Sequence, residues 1–232
     1  MTPARCTLWS WSPRPAGWAP AVVAIALMTG CASKPPVPEW QMNAHAATQK
    51  AVAAYLSGDT RVERLEWERA RAEVARTGRL DLLARLELMR CAAEVASLVP
   101  GPCERFEALR TDAAEPERAY ADYLAGLVQP QQIALLPEAQ RKAATATDPA
   151  VVAFMEDPLS RLVAASVMFR SGRGSPDLLA TAVATASAQG WRRPLMAWLV
   201  LQLKRAQAIG DSTGAAALQR RIDVVQSGAA PQ

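Results

Sequence analysis

The chain has 232 residues, half of them apolar and 21% charged, which suits a globular protein with a sizeable hydrophobic core. Its 26 basic and 22 acidic side chains give a formal net charge of +4, and two of the basic residues lie within the first 30 positions. So small an excess of positive charge gives no electrostatic reason for a nucleic-acid partner, and we predict none.

Residues 1–30 have the pattern of an export signal. They contain no acidic side chain, Arg5 and Arg14 supply positive charge, and an apolar stretch follows from Ala19 to Met28. This stretch is too short to span a bilayer, which takes a helix of about 20 residues. It has the length and the preceding charge of a secretory signal peptide, so we expect residues 1–30 to be removed.

The apolar stretch ends in a short motif, Met28-Thr29-Gly30-Cys31. This motif resembles the lipobox of bacterial lipoproteins. The resemblance implies that the Cys31 thiol receives a diacylglyceryl group, that the chain is cut just before it, and that the freed amine is acylated. Several acyl chains on one residue anchor a protein durably, since each buried methylene contributes about 0.8 kcal/mol. Because Ala32 and not Asp follows the cysteine, the resemblance also implies an outer-membrane location facing the periplasm.

Residues 31–38 are predicted to hold the lipidated cysteine and a proline-rich tether. Pro35, Pro36 and Pro38 lack amide donors and fix their own backbone angles, which keeps such a segment extended. The tether should hold the following domain away from the lipid surface.

Residues 39–232 are predicted to form one all-α domain. Alanine, leucine, arginine, glutamate and glutamine dominate, and alternating β-branched runs are absent. Glycine-containing turns and prolines divide the domain into short helices. The predicted helices cover 39–57, 61–77, 80–98, 104–110, 116–128, 194–209 and 214–225, and three more begin near 149, 158 and 176.

Two of these helices carry patterns that predict how they pack. The third has one apolar stripe that includes Leu86 and Met89 and another that includes Leu88 and Cys91, which predicts packing on two sides. The helix that begins near Pro194 is apolar nearly all round in its first half, so we expect it to be the most buried.

Three helix starts have a clear local signature. Asp148, Asp157 and Ser175 each stand directly before a proline. The side chain of Asp or Ser caps the first free amides of a helix, and proline suits the first helical position because its missing amide would be unpaired there.

Short helices joined by glycine-containing turns predict antiparallel hairpins stacked side by side, with a concave surface. Residues 55–59, with the sequence Tyr-Leu-Ser-Gly-Asp, and residues 209–211, with Ala215 following, resemble the end of the first helix and the turn of tetratricopeptide repeats. The resemblance implies a short tetratricopeptide-like array.

Two cysteines remain once Cys6 leaves with the signal and Cys31 is lipidated. Cys91 and Cys103 lie 12 positions apart, and in an oxidising periplasm such a pair favours a disulfide. Cys91 lies about 12 Å back from the end of the third helix, so the segment 100–102 would have to return alongside that helix. The alternative is two small, buried apolar side chains.

We identify no catalytic or metal-ligating set of residues. His45 is the single histidine, and no potential ligands accompany it at metal spacing. Sugar hydrolysis needs two carboxyl groups across a cleft, but the candidates Glu63, Glu66 and Glu68 lie on one helix with arginines beside them. We therefore predict solvated ion pairs, no metal, no cofactor and no enzymatic activity. The ion pairs predicted from the spacing of three positions are Glu66–Arg69, Glu68–Arg71 and Glu73–Arg76.

Trp191, Arg192 and Arg193 form the candidate partner surface, because an aromatic and basic cluster suits a protein partner or a lipid headgroup. The alternative is a core tryptophan beside solvated arginines.

We favour a lipoprotein that acts as a helical protein-binding or scaffolding module of the cell envelope, with a membrane contact through Cys31. An envelope hydrolase acting on the cell wall and a lipid-binding surface protein are the alternatives, and the sequence carries no indication of oligomeric state.

Overall fold

In the computed structural model the described residues are 36–228, and every regular element among them is helical. The prediction of an all-α domain is therefore confirmed. The predicted signal segment 1–30, the lipid acceptor Cys31 and the first part of the tether lie outside the described residues. Pro36, Val37 and Pro38 are exposed and have no regular structure.

Ten α-helices follow along residues 36–228. They are α1 (Glu39–Ser57), α2 (Thr60–Ala75), α3 (Leu80–Ala96), α4 (Glu104–Glu107), α5 (Glu115–Ala125), α6 (Glu138–Thr145), α7 (Pro158–Met168), α8 (Pro176–Ala188), α9 (Arg192–Ala208) and α10 (Ser212–Ser227). Short 3-10 helices connect them at Arg110–Asp112, Pro130–Leu135 and Pro149–Phe154, and a π-helical turn covers Phe169–Arg173.

The predicted capping residues act as expected. The Asp157 carboxylate accepts from the Ser160 amide at 2.6 Å, and the Ser175 hydroxyl accepts from the Leu178 amide at 3.1 Å. Asp148 accepts from the Ala150 amide, although the helix that it starts is a 3-10 helix and not an α-helix. These contacts satisfy amides that have no partner within a helix.

The turn between α1 and α2 shows why the first hairpin closes so sharply. Gly58 has a φ angle of +89°, which residues with a Cβ rarely adopt. Its amide donates to the carbonyls of Ala54 and Tyr55, and Asp59 then caps α2 by accepting from the Val62 amide at 3.0 Å. The chain therefore reverses within two residues, and α2 packs along α1.

The main core is built from α3, α5, α7, α8 and α9. Helix α7 lies at its centre, since all seven residues from Leu162 to Met168 are buried. The prediction that α9 would be the most buried helix is wrong, because its outer face is only half covered. Trp198 of α9 is nevertheless fully buried, and its indole Nε1 donates to the Ala96 carbonyl of α3 at 3.1 Å.

The hairpin α1–α2 has a small core of its own, built on alanines and Trp67 and completed by Leu86 of α3. A second small cluster of Tyr55, Leu56 and Ala93 lies where the hairpin meets the rest of the domain. The hairpin is thus attached to the main core through a narrow apolar junction, and charged side chains surround that junction.

The helices also contact partners that are distant in sequence. Helix α3 packs against α7, and α1 contacts α9. In an open repeat array each hairpin contacts only its neighbours, so these contacts do not confirm the tetratricopeptide-like arrangement. Within residues 36–228, no helix has both the length and the apolar character needed to cross a membrane.

Candidate functional site

An apolar groove lies between α3 and α5, with a volume of about 380 Å³. Most of its lining surface is apolar, and three charged side chains also contribute to it. Helix α3 contributes Arg85, Leu88 and Met89, α5 contributes Pro116, Glu117 and Tyr120, and the chain around the start of α6 contributes Leu135, Leu136, Pro137 and Arg141. We call this feature the α3–α5 groove.

The sequence around the groove explains its shape. Leu88 is buried in the main core, whereas its neighbour Met89 is 45% exposed, since adjacent helical residues point about 100° apart. Pro116 and Pro137 lie at the starts of α5 and α6 and fix the backbone there. Neither proline has an amide hydrogen, so the walls at these two positions offer apolar surface without a donor.

One ion pair crosses the groove from α3 to α5. The Arg85 Nε atom donates to the Glu117 Oε1 atom at 2.8 Å. The second carboxylate oxygen, Oε2, is buried and finds no hydrogen-bond donor among the described residues. A buried oxygen of this kind costs free energy until a donor reaches it.

Arg141 also lines the groove, and most of its donors are uncommitted. Its Nε donates to the Leu136 carbonyl at 2.9 Å. No ion pair with a carboxylate is formed by Arg141 among residues 36–228. Two guanidinium groups and one carboxylate therefore give the groove a net positive charge. Burial, with a smaller contribution from Asp157, raises the pKa of Tyr120 above its usual range, so its phenol is neutral at physiological pH.

The predicted partner surface at Trp191, Arg192 and Arg193 begins α9 and is largely occupied by contacts within the chain. Arg193 donates to Glu63 Oε2 at 3.1 Å and to Thr60 Oγ1 at 3.2 Å. Its guanidinium also lies 4.1 Å from the centre of the Tyr55 ring.

The other two residues of that surface differ in exposure. Trp191 packs on the core, and the exposed Arg192 donates to the backbone carbonyl of Gln226 at 2.8 Å. The structure thus gives Arg193 a role in holding the hairpin α1–α2 to α9, and the partner-surface assignment stays a prediction.

The prediction of solvated glutamates on α2 is wrong for two of the three residues. Glu63 and Glu66 are each only 6% exposed, and Glu63 lies between Arg193 and Arg90. The predicted pairs Glu66–Arg69 and Glu73–Arg76 are present.

The third predicted pair is replaced by a contact between helices. Arg71 pairs with the buried Glu87 of α3 at 3.1 Å and not with Glu68. Glu87 comes from another helix, so the spacing along α2 gave no signal for it.

Cys91 and Cys103 lie at disulfide distance, with their Cα atoms 5.5 Å apart. The segment 100–102 does return alongside α3, as the predicted bond requires. A polar cleft of about 340 Å³ borders the pair, and its lining includes Arg90, Glu94 and Arg105.

His45 is exposed on α1. Among the described residues, no group of three histidine, cysteine or acidic side chains is placed to hold a metal ion.

Comparisons with protein-family models, with curated proteins and with solved structures found no match. A function must therefore be inferred from the sequence pattern around Cys31 and from the surface of the domain.

Sequence reasoning missed the α3–α5 groove, because its residues come from three separate segments. The prolines at positions 116 and 137 were the only local sign that two of those segments have fixed starts.

Proposed function

We propose that the mature chain is a lipid-anchored, periplasm-facing protein of the outer membrane whose helical domain binds another protein of the cell envelope. The motif at residues 28–31 supports the anchor, and the placement of Cys91 and Cys103 at disulfide distance supports an oxidising compartment. The observation that carries the binding role is the α3–α5 groove.

The groove has the properties of a binding surface. In the interior of a protein, Met89 and the apolar side chains beside it would be covered by other side chains, whereas here they face the groove. A concave apolar surface with a few polar groups is the usual form of a binding site. Methionine is unbranched and polarisable, so it adapts to partners of different shape. A partner segment that fills the groove would remove this apolar surface from water.

The alternative of a cell-wall hydrolase has weaker support. Glycoside hydrolysis uses one carboxyl group as an acid and a second as a nucleophile or base across a cleft. The buried Glu63, Glu66 and Glu87 each lie against an arginine, and the pairs Glu63–Arg193 and Glu87–Arg71 join helices. We therefore assign these glutamates to stability and propose that the protein performs no chemistry of its own.

Site-specific photo-cross-linking in intact cells tests the binding role. A photoreactive residue replaces Met89 in the groove, and the matched control places it at Ile209, which is 72% exposed at the end of α9 and does not line the groove. We expect one discrete cross-linked protein from position 89 and none from position 209. Equal adducts from both positions, or none from position 89 in a correctly folded variant, would contradict the proposal.

A further inference from the structure

We infer that the α3–α5 groove binds an extended peptide segment of its partner in which an apolar residue is followed by an acidic residue. This inference rests on the proposed function, because it names the chemistry of the partner for the same groove. Two observations carry it: the uncommitted guanidinium of Arg141 and the apolar lining of the groove, which together match an apolar side chain beside an anionic one.

Arg141 selects the acidic residue. Only its Nε atom is used within the domain, so the two terminal nitrogens are free to donate to a carboxylate in parallel. The neighbouring Arg85 already has a carboxylate partner in Glu117, so it does not compete for the ligand. An anionic group beside Arg141 would balance the net positive charge of the groove.

A lipid is the competing occupant, since an ionised fatty acid also combines a carboxylate with an apolar chain. The proposed function commits the groove to a protein segment, and palmitate therefore enters the experiment as the competitor. Glu117 does not discriminate between the two, because its carboxylate pairs with Arg85 and its Oε2 atom is buried, out of reach of an occupant of the groove.

The apolar wall sets the size of the occupant. The groove of about 380 Å³ lies near the lower end of the ~300–1,000 Å³ range of small-ligand sites, so it takes a short segment and not a folded surface. Met89 and Tyr120 provide an adaptable and an aromatic contact on opposite sides, both of which are common at protein interfaces. A leucine-sized side chain between them would remove the exposed face of Met89 from water.

Peptide titration of the full mature protein, purified in detergent, tests this inference. The probe is a fluorescent peptide, blocked at both ends, with a leucine followed by an aspartate, and its binding is followed by anisotropy. The comparison peptides replace the aspartate with asparagine or with lysine. We expect the aspartate peptide to bind at least about tenfold more tightly than the asparagine peptide, and the lysine peptide to bind weakest.

Variants identify the groups responsible. Arg141→Ala should abolish the preference for aspartate over asparagine, and the adjacent, exposed Lys142→Ala is the matched control that should keep it. Glu138→Gln, at an exposed position of α6 outside the groove, should leave binding unchanged.

The outcomes separate this inference from the proposed function. Three outcomes would each overturn the inference. They are equal binding of the three peptides, no binding at millimolar peptide, and displacement of the aspartate peptide by palmitate that depends on Arg141. The last result would assign the groove to a lipid. If position 89 still cross-links to a protein in cells, the proposed function stands while the partner chemistry is wrong.

Discussion

Arg193 of α9 and Glu63 of α2 are 130 positions apart in the chain, and their side chains meet at 3.1 Å. The Glu63 side chain is 8% exposed and that of Arg193 is 29% exposed, so the pair is largely removed from water. The same guanidinium lies over the Tyr55 ring of α1. One arginine thus connects both helices of the N-terminal hairpin to the C-terminal half of the domain.

Replacement of Arg193 by alanine should lower the free energy of unfolding by about 2–3 kcal/mol, because it leaves the Glu63 carboxylate buried without its closest partner. Arg192→Ala is the matched control. Arg192 is exposed and makes one hydrogen bond to a backbone carbonyl, so its loss should cost about 1 kcal/mol or less. Urea unfolding of both variants measures the difference. Equal losses would contradict a specific role for Arg193 at this junction.

The stability of the domain should fall steeply above about pH 10. The three tyrosines of the chain, Tyr55, Tyr120 and Tyr123, all have a pKa raised above the usual value by burial of the phenol. The unfolded chain loses these protons near pH 10, whereas the folded chain keeps them. A raised pKa in the folded state therefore contributes stability that is complete below pH 10 and declines as the pH rises above it.

A spectrophotometric titration checks this prediction. The tyrosinate absorbance should stay low past pH 10 and then rise together with the loss of helical circular dichroism. Ionisation of all three phenols near pH 10 with the helices intact would show that the tyrosines are not buried as described.

Removal of the Cys91–Cys103 link should destabilise the domain. A bond that closes a loop of 12 residues contributes about 3 kcal/mol, mainly by restricting the unfolded chain. Wild-type protein should lose that much stability in a reductant, and the double variant Cys91→Ala/Cys103→Ala should be less stable but insensitive to reductant. Two thiols that react with an alkylating agent in protein isolated without reductant would show that the bond does not form.

The parts of the fold that depend on neighbouring residues could be predicted from the sequence. Helix α1 covers the predicted residues 39–57, and Asp157 and Ser175 cap the helices that they precede, since a cap acts over only three residues. Parts that depend on packing could not be predicted. Met89 was assigned to an inward-facing stripe, yet it is 45% exposed because α5 leaves a groove beside it.

The ion pairs show the same division. The spacing of three positions predicted Glu66–Arg69, because both residues lie on α2. It could not predict that Arg71 would pair with Glu87, since that contact exists only once α2 packs on α3. The candidate groove is likewise formed by three segments that are separate in the sequence, and a pattern along one helix does not reveal it.

The mass of the N-terminal peptide of the protein extracted from membranes tests the central claim of export and anchoring most directly. The motif at residues 28–31 predicts a chain that begins at Cys31 and carries the added mass of a diacylglyceryl group and an acyl chain. Cys31→Ser should abolish this modification and leave an uncut precursor or protein released from the membrane fraction. An unmodified Cys31, or a Cys31→Ser variant that is processed and retained like the wild type, would contradict the account.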